Sequence, residues 1–578
     1  MASVTHIKPK WRIAPEGDLS SAVKLSQEAK LPLVVSRILI RRGISTVSQA
    51  QKFLAPDFSD LLDPFLLTDL EQAADRVILA LKNKESIMLF GDYDVDGITA
   101  TVLLYLCLSH LGGEISYYLP HRLLEGYGLS KEGIKEAQKR GAGLVVSVDC
   151  GMTALEEADF AKEIGIDLII TDHHEPKEKI PEAYATVNPK RNEYPGGELS
   201  GVGVAFKLIC GIYKKLNLEE RKLTQHLDLI ALGTSADIVP LTKENRILVK
   251  LGLEQLEKSE KFGLQDLILN SGLEGKKLSP SQVVFGLAPR INAVGRLGDA
   301  QCAIKLLSTA DPKEASQLAL FLEMENRRRR EIDERTMKEA LEMAEREVQP
   351  EDKVIILSKE NWHPGIVGII AARIAEIYYR PCVLLAVDGK EAKGSARSIP
   401  GFHLFEALKE CSQYMIRFGG HKQAAGLSLE KKNLEPFKEK LKFVASQKLS
   451  DADLIPQLNI DCEVNLEEIN EELATYLEQL APFGPGNMRP VLVTRNLENF
   501  DQPSVIGNNH LKLRIKKNDK MLDGIAFGQG DWIKPLSAKN VKYDLAYVLE
   551  NNSWNGNTNL QLRVKDIDIK LSNSVQLS

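Results

Sequence analysis

The sequence lacks the features that mark membrane-spanning, secreted and zinc-binding proteins. No apolar run approaches the roughly 20 residues that a helix needs to cross a bilayer. The opening residues, MASVTHIKPKW, contain no apolar core of a signal peptide. The 7 cysteines are scattered without a C-x-x-C pair, which favours buried free thiols over disulfides or a zinc site. We therefore expect a cytoplasmic protein.

Internal repeats and low-complexity segments are also missing, so ordinary globular domains are expected. With 578 residues, the chain is too long for one hydrophobic core. The formal net charge of -6 at pH 7 argues against a surface that attracts nucleic acid everywhere, but it leaves room for a local basic channel.

The first half of the chain has the pattern of an α/β domain. In residues 71–298, the runs SIMLF, ISYYLP, GLVVSVDCG, DLIITDHH and LIALGTSADIVPL read as strands that alternate with helical segments. This alternation predicts βαβ units and a mainly parallel sheet. Residues 1–70 form an N-terminal segment before it.

The second half is predicted to contain three further parts. Residues 299–349 read as a helical connector whose charges, spaced for ion pairs, indicate a solvated surface. Residues 350–450 form a second α/β domain that begins with the strand KVIILS. Residues 454–575 contain short strands, the first within APFGPGNMRPVLV, in a length that suits an OB-fold β-barrel. The fold class is therefore multi-domain α/β.

The segment GDYDVDG places three carboxylates at alternate positions: Asp92, Asp94 and Asp96. The spacing matches the start of an EF-hand calcium loop, but the twelfth position, which needs a carboxylate, is Leu103. A predicted strand rather than a helix precedes the segment. The aspartates are thus expected in a strand-to-helix turn, where parallel sheets bind ligands.

Further acidic and histidine residues follow other predicted strands of this domain, namely Asp149, Asp172, His173, His174 and Asp237. Each alone has a simpler explanation, since a lone Asp often caps a helix and a lone His often only packs. Together at one sheet edge they would repel one another unless cations neutralised them. Oxygen and imidazole ligands suit Mn²⁺ or Mg²⁺. Two such ions activate water for phosphodiester hydrolysis.

The motifs GDYDVDG, VDCG, TDHH and ADIVP resemble those of the DHH phosphoesterase superfamily, and HPGIVGIIAARI, GSARS and FGGHKQAAG resemble its DHHA1 partner domain. With PRINAVGRL and PFGPGN, the order of parts is similar to that of the single-strand-specific 5′→3′ exonucleases of this superfamily. The resemblance implies two metal ions held by Asp92, Asp94, Asp96, Asp149, Asp172, His173, His174 and Asp237. It leaves open that one aspartate of the first motif and one member of the triplet act indirectly, as orienting groups or as a base.

The resemblance also implies the substrate, the product and the partners of the enzyme. It predicts release of 5′-mononucleotides from single-stranded DNA in recombination and repair, by a monomer that works with a helicase and a single-strand-binding protein. Asp96, His174 and His421 are the expected catalytic groups.

Substrate contacts are predicted in three short stretches. Ser395, Arg397 and Ser398 of GSARS form a phosphate clamp that should face the metals. Gly419 and Gly420 let the backbone approach a phosphate beside His421. The third stretch supplies 5′-phosphate or backbone contacts, or alternatively structural ion pairs, through Arg290, Asn292 and Arg296.

In HLKLRIKK, alternation places Lys512, Arg514 and Lys516 outside the barrel, as a basic stripe for single-stranded DNA. The aromatic residues Trp532 and Trp554 are candidates for stacking on bases, whereas Phe527 is expected in the barrel core.

Two other functions stay open. One is a phosphodiesterase of short oligonucleotides or cyclic dinucleotides, against which the connector and barrel argue. The other is a non-catalytic scaffold in replication, against which the complete ligand set argues.

Overall fold

The computed structural model describes residues 7–15, 18–120, 128–297, 299–538, 541–554 and 557–569. Within these ranges, no helix combines the length and apolar character needed to cross a membrane. The cysteines are free thiols, as expected, and all but Cys302 are buried.

The helices and strands are numbered separately along the chain. The helices are α1 (Leu19–Ala29), α2 (Leu33–Arg41), α3 (Val47–Leu54), α4 (Leu70–Asn83), α5 (Val95–His110), α6 (Lys131–Lys139), α7 (Leu155–Glu163), α8 (Gly201–Lys215), α9 (Leu227–Ala236), α10 (Lys243–Glu257), α11 (Phe262–Asn270), α12 (Pro280–Gln282), α13 (Ala288–Leu297), α14 (Gln301–Ser308), α15 (Pro312–Glu347), α16 (Val367–Tyr378), α17 (Leu404–Lys409), α18 (Leu434–Lys448), α19 (Glu471–Gln479) and α20 (Ile533–Leu536). The strands are β1 (Lys10–Ile13), β2 (Ser86–Phe90), β3 (Glu114–Tyr118), β4 (Ala142–Val148), β5 (Asp167–Thr171), β6 (Ala185–Val187), β7 (Ile355–Glu360), β8 (Cys382–Asp388), β9 (Glu391–Arg397), β10 (Arg417–Gly420), β11 (Ala424–Glu430), β12 (Gln457–Ile460), β13 (Cys462–Glu463), β14 (Leu492–Asn499), β15 (Ser504–Ile506), β16 (His510–Lys517), β17 (Lys520–Ala526), β18 (Tyr543–Trp554) and β19 (Asn557–Ile569).

The chain divides into two compact units, and the division falls inside α15. The first unit comprises residues 1–50, 329–479 and 490–578, and the second comprises residues 51–328 and 480–489. The short segment 480–489 therefore belongs with the second unit, although the sequence on both sides of it belongs to the first.

The second unit is built on a parallel sheet with strand order β3-β2-β4-β5-β6. Helices α4, α5, α8 and α9 cover one face in a large apolar core, and α6 and α7 cover the other. Burial on both faces explains why SIMLF and GLVVSV are continuous apolar runs rather than alternating ones.

Two strand assignments in this sheet differ from the prediction. The run LIALGTSA forms helix α9 instead of a strand, and the fifth strand is the short β6, which the pattern did not mark. A fully buried helix is as uniformly apolar as a buried strand, so the composition of LIALGTSA does not distinguish the two.

The first unit contains a mixed sheet with strand order β10-β11-β9-β8-β7. Only β7 and β8 pair in parallel there, and the other pairs are antiparallel. An apolar core that includes Phe402 and Phe437 packs against it. The same unit holds the parallel pair of β1 with β12, so the N-terminal residues join a strand from late in the chain.

The last sheet of the first unit is a small barrel. Strands β14, β18, β19, β17 and β16 follow one another, and β16 pairs again with β14, which partly closes the ring. This is the five-stranded arrangement of an OB-fold, as predicted. The first long strand begins only at Leu492, because the preceding PFGPGN forms a loop.

The connector is helical, as predicted, but one face of α15 is buried. Asn326, Asp333 and Thr336 are almost fully enclosed, and Arg373 of α16 forms an ion pair of 3.1 Å with Asp333. The expectation of a solvated connector is therefore wrong for this face. Buried polar residues leave the same charge pattern in the sequence as exposed ones.

Candidate metal centre

The first motif lies in the turn between β2 and α5. The Asp94 side chain caps α5 by accepting a hydrogen bond of 3.0 Å from the amide of Gly97. Asp96 sits in the first turn of α5, and its two carboxylate oxygens accept hydrogen bonds from the amides of Gly201 and Val202 at 2.6 and 2.9 Å. These amides open α8, so Asp96 occupies the electropositive end of that helix.

A glycine makes the approach of α8 to the sheet edge possible. A Cβ on Gly201 would lie 2.5 Å from Cβ of Asp149, a distance that no side chain tolerates. Asp149 directly follows β4, in a left-handed backbone conformation with φ of 60°. Asp96, Asp149 and the start of α8 are thereby packed together at one place.

The triplet Asp172-His173-His174 directly follows β5, and its first member is saturated with hydrogen bonds. One oxygen of Asp172 accepts from the amide of Met152 at 2.8 Å. The other accepts from the amides of His173 and His174 and lies 2.8 Å from Nδ1 of His174. Asp172 is 1% exposed. The carboxylate thus contacts the backbone of both histidines but the ring of His174 alone.

Nε2 of His173 faces the carboxylates of three different motifs. It lies 3.1 Å from Oδ1 of Asp149, 3.5 Å from Oδ2 of Asp237 and 4.0 Å from Oδ2 of Asp96. Asp237 comes from the end of α9 rather than from a strand, so its predicted location was wrong although it reaches the same cluster.

The ligand atoms form three overlapping groups, each within 4.8 Å: Asp92 with Asp94 and Asp149, Asp149 with His173 and His174, and Asp96 with His173 and Asp237. Asp149 and His173 each belong to two groups, which is the arrangement that shared ligands of neighbouring metal ions require.

The electrostatics of the cluster also fit cations. Burial and the charges of Asp237 and Asp94 raise the pKa of Asp96, and burial and Asp96 raise that of Asp149. Burial, with Asp94, raises the pKa of Asp237 to about 7. Burial lowers the pKa of His173 to about 3, so its imidazole is neutral and has a lone pair to offer. Among the described residues, no hydrogen bond reaches Nε2 of His173 or Oδ2 of Asp237, although both are buried. A divalent cation would satisfy these atoms and offset the repulsion.

Helix α13 carries the predicted contacts of the PRINAVGR stretch. A Cβ on Gly295 would lie 2.8 Å from the carbonyl oxygen of Tyr93, so α13 packs directly against the first motif. Asn292 and Arg296, one turn apart, are both half-buried there. Arg290 differs, because it is 5% exposed and its guanidinium lies 2.7 Å from Glu323 and donates to the carbonyls of Gly286 and Asn270. These contacts favour the structural ion pair, which was the alternative to a phosphate contact for Arg290.

The other predicted phosphate contacts belong to the first unit. Nη1 of Arg397 donates to the hydroxyl of Ser395 at 2.9 Å and to the carbonyl of Ala396 at 2.8 Å. The Ser398 hydroxyl instead donates to the carbonyl of Phe402. Ser395 and Arg397 lie in β9, and Gly419 and Gly420 lie in β10. Strand β11 lies between these two strands and pairs with both. His421 follows in an exposed turn, so its ring is accessible.

Comparison with known proteins gives consistent matches along the chain. Family models match for the DHH family N-terminal domain at residues 86–234, the DHHA1 domain at 351–447 and the RecJ OB domain at 460–566. The single-stranded-DNA-specific exonuclease RecJ of Bacillus subtilis is 36% identical over 97% of this chain and 71% of its own length. The protein of that name from Escherichia coli is 33% identical over 93% of this chain and 96% of its own.

This chain belongs to the RecJ family. The crystal structure of RecJ from Thermus thermophilus in complex with Mn²⁺ superimposes with a TM-score of 0.84 at 29% identity, covering 97% of this chain and 80% of that one. A second structure of that protein is a complex with Mg²⁺.

The barrel of this RecJ family member presents the predicted basic stripe. Leu511, Leu513 and Ile515 are buried, and Lys512, Arg514 and Lys516 are exposed, as the alternation predicted. Arg514 is held by Asp523 at 2.8 Å and Asp501 at 3.4 Å, whereas no such ion pair of Lys512 or Lys516 is found in the described residues.

Exposed aromatic rings accompany the stripe. Phe527 is 51% exposed, so the expectation that it lies in the core was wrong, and the guanidinium of Arg563 lies 5.6 Å from its ring centre. Phe500, which the sequence did not single out, is also exposed and lies 5.9 Å from the ammonium of Lys516. Trp532 is half-buried, and the side chain of Trp554 is outside the described part of the structure.

The backbone directly after Asp237 is strained. Ile238 has a φ of 63°, a left-handed conformation that costs a residue other than glycine about 1–2 kcal/mol and is rarest for β-branched residues. Nothing in the sequence indicated this, because a helix end of this type normally carries glycine.

The loop 480–489, which contains PFGPGN, packs next to this turn. The carbonyl of Pro485 accepts a hydrogen bond of 2.7 Å from the amide of Leu241. The carbonyl of Leu480 accepts one of 2.8 Å from Arg246. Nδ2 of the buried Asn487 donates to the carbonyls of Leu480 and Pro482, which fixes the loop internally. The loop thus braces the segment that carries Asp237.

Proposed function

We propose that this protein is a metal-dependent exonuclease that degrades single-stranded DNA in the 5′→3′ direction and releases 5′-mononucleotides. The observation that carries the proposal is the set of three overlapping ligand groups that share Asp149 and His173. A cluster of this kind is the site of a two-metal phosphodiester hydrolase. The names of the relatives supply the substrate class.

The residues that would hold the metal ions are Asp92, Asp94, Asp96, Asp149, His173, His174 and Asp237. Two ions of Mn²⁺ or Mg²⁺, when bound, polarise the scissile phosphate and lower the pKa of an attacking water. Asp172, by contrast, already accepts four hydrogen bonds, and we assign it the orientation of His174.

The orientation has a chemical consequence. The Asp172 carboxylate accepts a hydrogen bond from Nδ1 of His174, which leaves Nε2 as the nitrogen with the lone pair. Although burial opposes the charged form, the hydrogen bond to Asp172 raises the pKa of His174. His174 can therefore hold or pass on a proton at Nε2 only while that nitrogen binds no metal, and Asp96 is the alternative base.

The substrate strand is held by groups outside the cluster. Asn292 and Arg296 of α13 bind the phosphate at or near the 5′ end. Arg397, positioned by Ser395, acts as a second phosphate clamp. Gly419 and Gly420 leave the backbone accessible beside His421, which donates to the scissile group.

The barrel holds the strand that follows. Lys512 and Lys516 neutralise backbone phosphates, and Phe500 and Phe527 stack on bases, the usual way in which OB-folds bind single strands without sequence preference. Such a grip on the trailing strand favours processive digestion. We further propose that the protein acts as a monomer in the cytoplasm, in recombination and repair, on strands that a helicase opens and a single-strand-binding protein covers.

The test is digestion of 5′-labelled and 3′-labelled DNA of increasing length in Mn²⁺, Mg²⁺ or EDTA. We expect early release of the 5′ label as a mononucleotide, little attack on blunt duplexes and no activity in EDTA. A strong preference for dinucleotides over long strands would instead support a phosphodiesterase of short oligonucleotides. Binding without hydrolysis in either metal would support a non-catalytic scaffold.

A further inference from the structure

We propose that Ile238 and Met488 form an apolar contact for a nucleobase of the substrate strand at the edge of the metal cluster. The inference rests on the proposed function and goes beyond it, because it assigns a base contact to Ile238 of the ADIVP motif and to Met488, which follows PFGPGN. Neither residue is among the predicted substrate contacts.

The side chain of Ile238 is mostly exposed to solvent. This residue follows the candidate ligand Asp237, has a φ of 63°, and is 58% exposed. Glycine is the residue that this backbone conformation favours. A strained, exposed β-branched residue beside a catalytic cluster indicates selection for contact with a ligand.

Met488 belongs to the loop 480–489, which contacts the chain just beyond Ile238. A Cβ on Gly486 would lie 2.9 Å from Cγ2 of Thr242 and 3.3 Å from Cβ of Pro240, so the loop touches the chain two residues beyond Ile238. Met488 lies two residues beyond Gly486 and is 68% exposed. The hydrogen bond between Leu241 and Pro485 fixes the two segments relative to each other.

A base is the occupant that this surface fits. The carboxylate cluster takes the scissile phosphate through cations, so the parts of the strand at its edge are a sugar and a base. Only the base has large apolar faces, and methionine sulfur makes favourable contacts with aromatic rings.

The experiment compares Ile238→Gly with the wild type. Glycine relieves the strained backbone, so we expect an unchanged or higher Tm together with a KM for single-stranded DNA raised roughly 5- to 100-fold, the range expected when one base is no longer stacked. Met488→Ala should raise KM in the same direction. Lys84→Gly is the matched control, since Lys84 ends α4 with a φ of 52° far along the chain from the cluster. It should leave KM unchanged. Ile238→Asn, a polar residue that tolerates positive φ, is the second variant should the glycine variant fold poorly.

A series of strands with one abasic site at each of the first positions from the 5′ end identifies the contact. The wild type should bind the strand that lacks one particular base more weakly than the intact strand. Ile238→Gly should bind that strand and the intact strand equally well. An unchanged KM in Ile238→Gly and Met488→Ala, or equal sensitivity of wild type and variant to every abasic site, would overturn the inference. Failure of the wild type to degrade any single strand in Mn²⁺ would overturn the proposed function itself.

Discussion

Asp172→Asn tests whether the first residue of the triplet orients His174 or binds metal itself. The substitution keeps the size of the side chain and one carbonyl oxygen. It removes the negative charge and turns the second oxygen into an amide donor. In the wild type, that oxygen accepts a hydrogen bond of 2.8 Å from the amide of Met152. In the variant, the side-chain amide and the amide of Met152 would face each other as two donors, at a residue that is 1% exposed.

The size of the effect follows from these contacts. An unsatisfied buried donor costs about 1–3 kcal/mol. The bond to Nδ1 of His174 loses its charge assistance, which makes a hydrogen bond roughly twice as strong as a neutral one. We expect the free energy of unfolding to fall by about 2–4 kcal/mol. Loss of a group that orients a metal ligand lowers metal affinity or activity about 10- to 100-fold.

The assay is exonuclease activity on a 5′-labelled single strand as a function of Mn²⁺ concentration. If Asp172 orients His174, the half-maximal Mn²⁺ concentration rises about 10- to 100-fold and saturating Mn²⁺ restores most of the activity. Asp228→Asn is the matched control, because Asp228 is a buried aspartate of the same unit that accepts from Ser259 and Lys261. It should lose stability without a change in the Mn²⁺ midpoint. An unchanged midpoint in Asp172→Asn, or activity that no Mn²⁺ concentration restores, would refute the orienting role.

Three further predictions concern the substrate contacts and the metals. Lys512→Glu with Lys516→Glu should weaken binding of long strands and flatten its salt dependence by about 0.7 in the log–log slope for each phosphate that is no longer neutralised. Cleavage of a short oligonucleotide should not change. Arg514→Ala should weaken binding of long strands less, because the guanidinium of Arg514 is already paired with Asp523 and Asp501. Fluorescence anisotropy measures the binding of all these variants. Arg290→Ala should cost about 1–3 kcal/mol of stability in a denaturant titration, because Glu323 loses its ion pair with Arg290 and, among the described residues, keeps only the exposed Arg327 as a partner. Arg296→Ala should raise KM for 5′-phosphorylated strands, and an equal KM effect of both arginines would contradict their different roles. Dialysis against EDTA should abolish hydrolysis, and added Mn²⁺ or Mg²⁺ should restore it; full activity after dialysis would exclude the metal centre.

The elements that the sequence predicted correctly are those in which local pattern and burial agree. SIMLF and DLIIT are apolar because both faces of a parallel sheet are covered. HLKLRIKK alternates because one face of its strand lines the barrel and the other meets solvent. Where burial removes the alternation, the pattern is ambiguous, and LIALGTSA was predicted as a strand although it is a helix.

The sequence by itself determined which chemical groups the protein has to offer. Carboxylates that follow strands, a histidine pair and glycine-rich turns occur in it in an order that suffices to expect metal-dependent phosphodiester hydrolysis. These are local features, since each motif is a strand or helix end with its own turn. Only the tertiary structure decided how they are used. It placed the amide of Met152 against one oxygen of Asp172, enclosed Arg290 against Glu323, and brought the loop 480–489 against the segment that follows Ile238. Such contacts join residues that are far apart in the chain, so no local pattern encodes them.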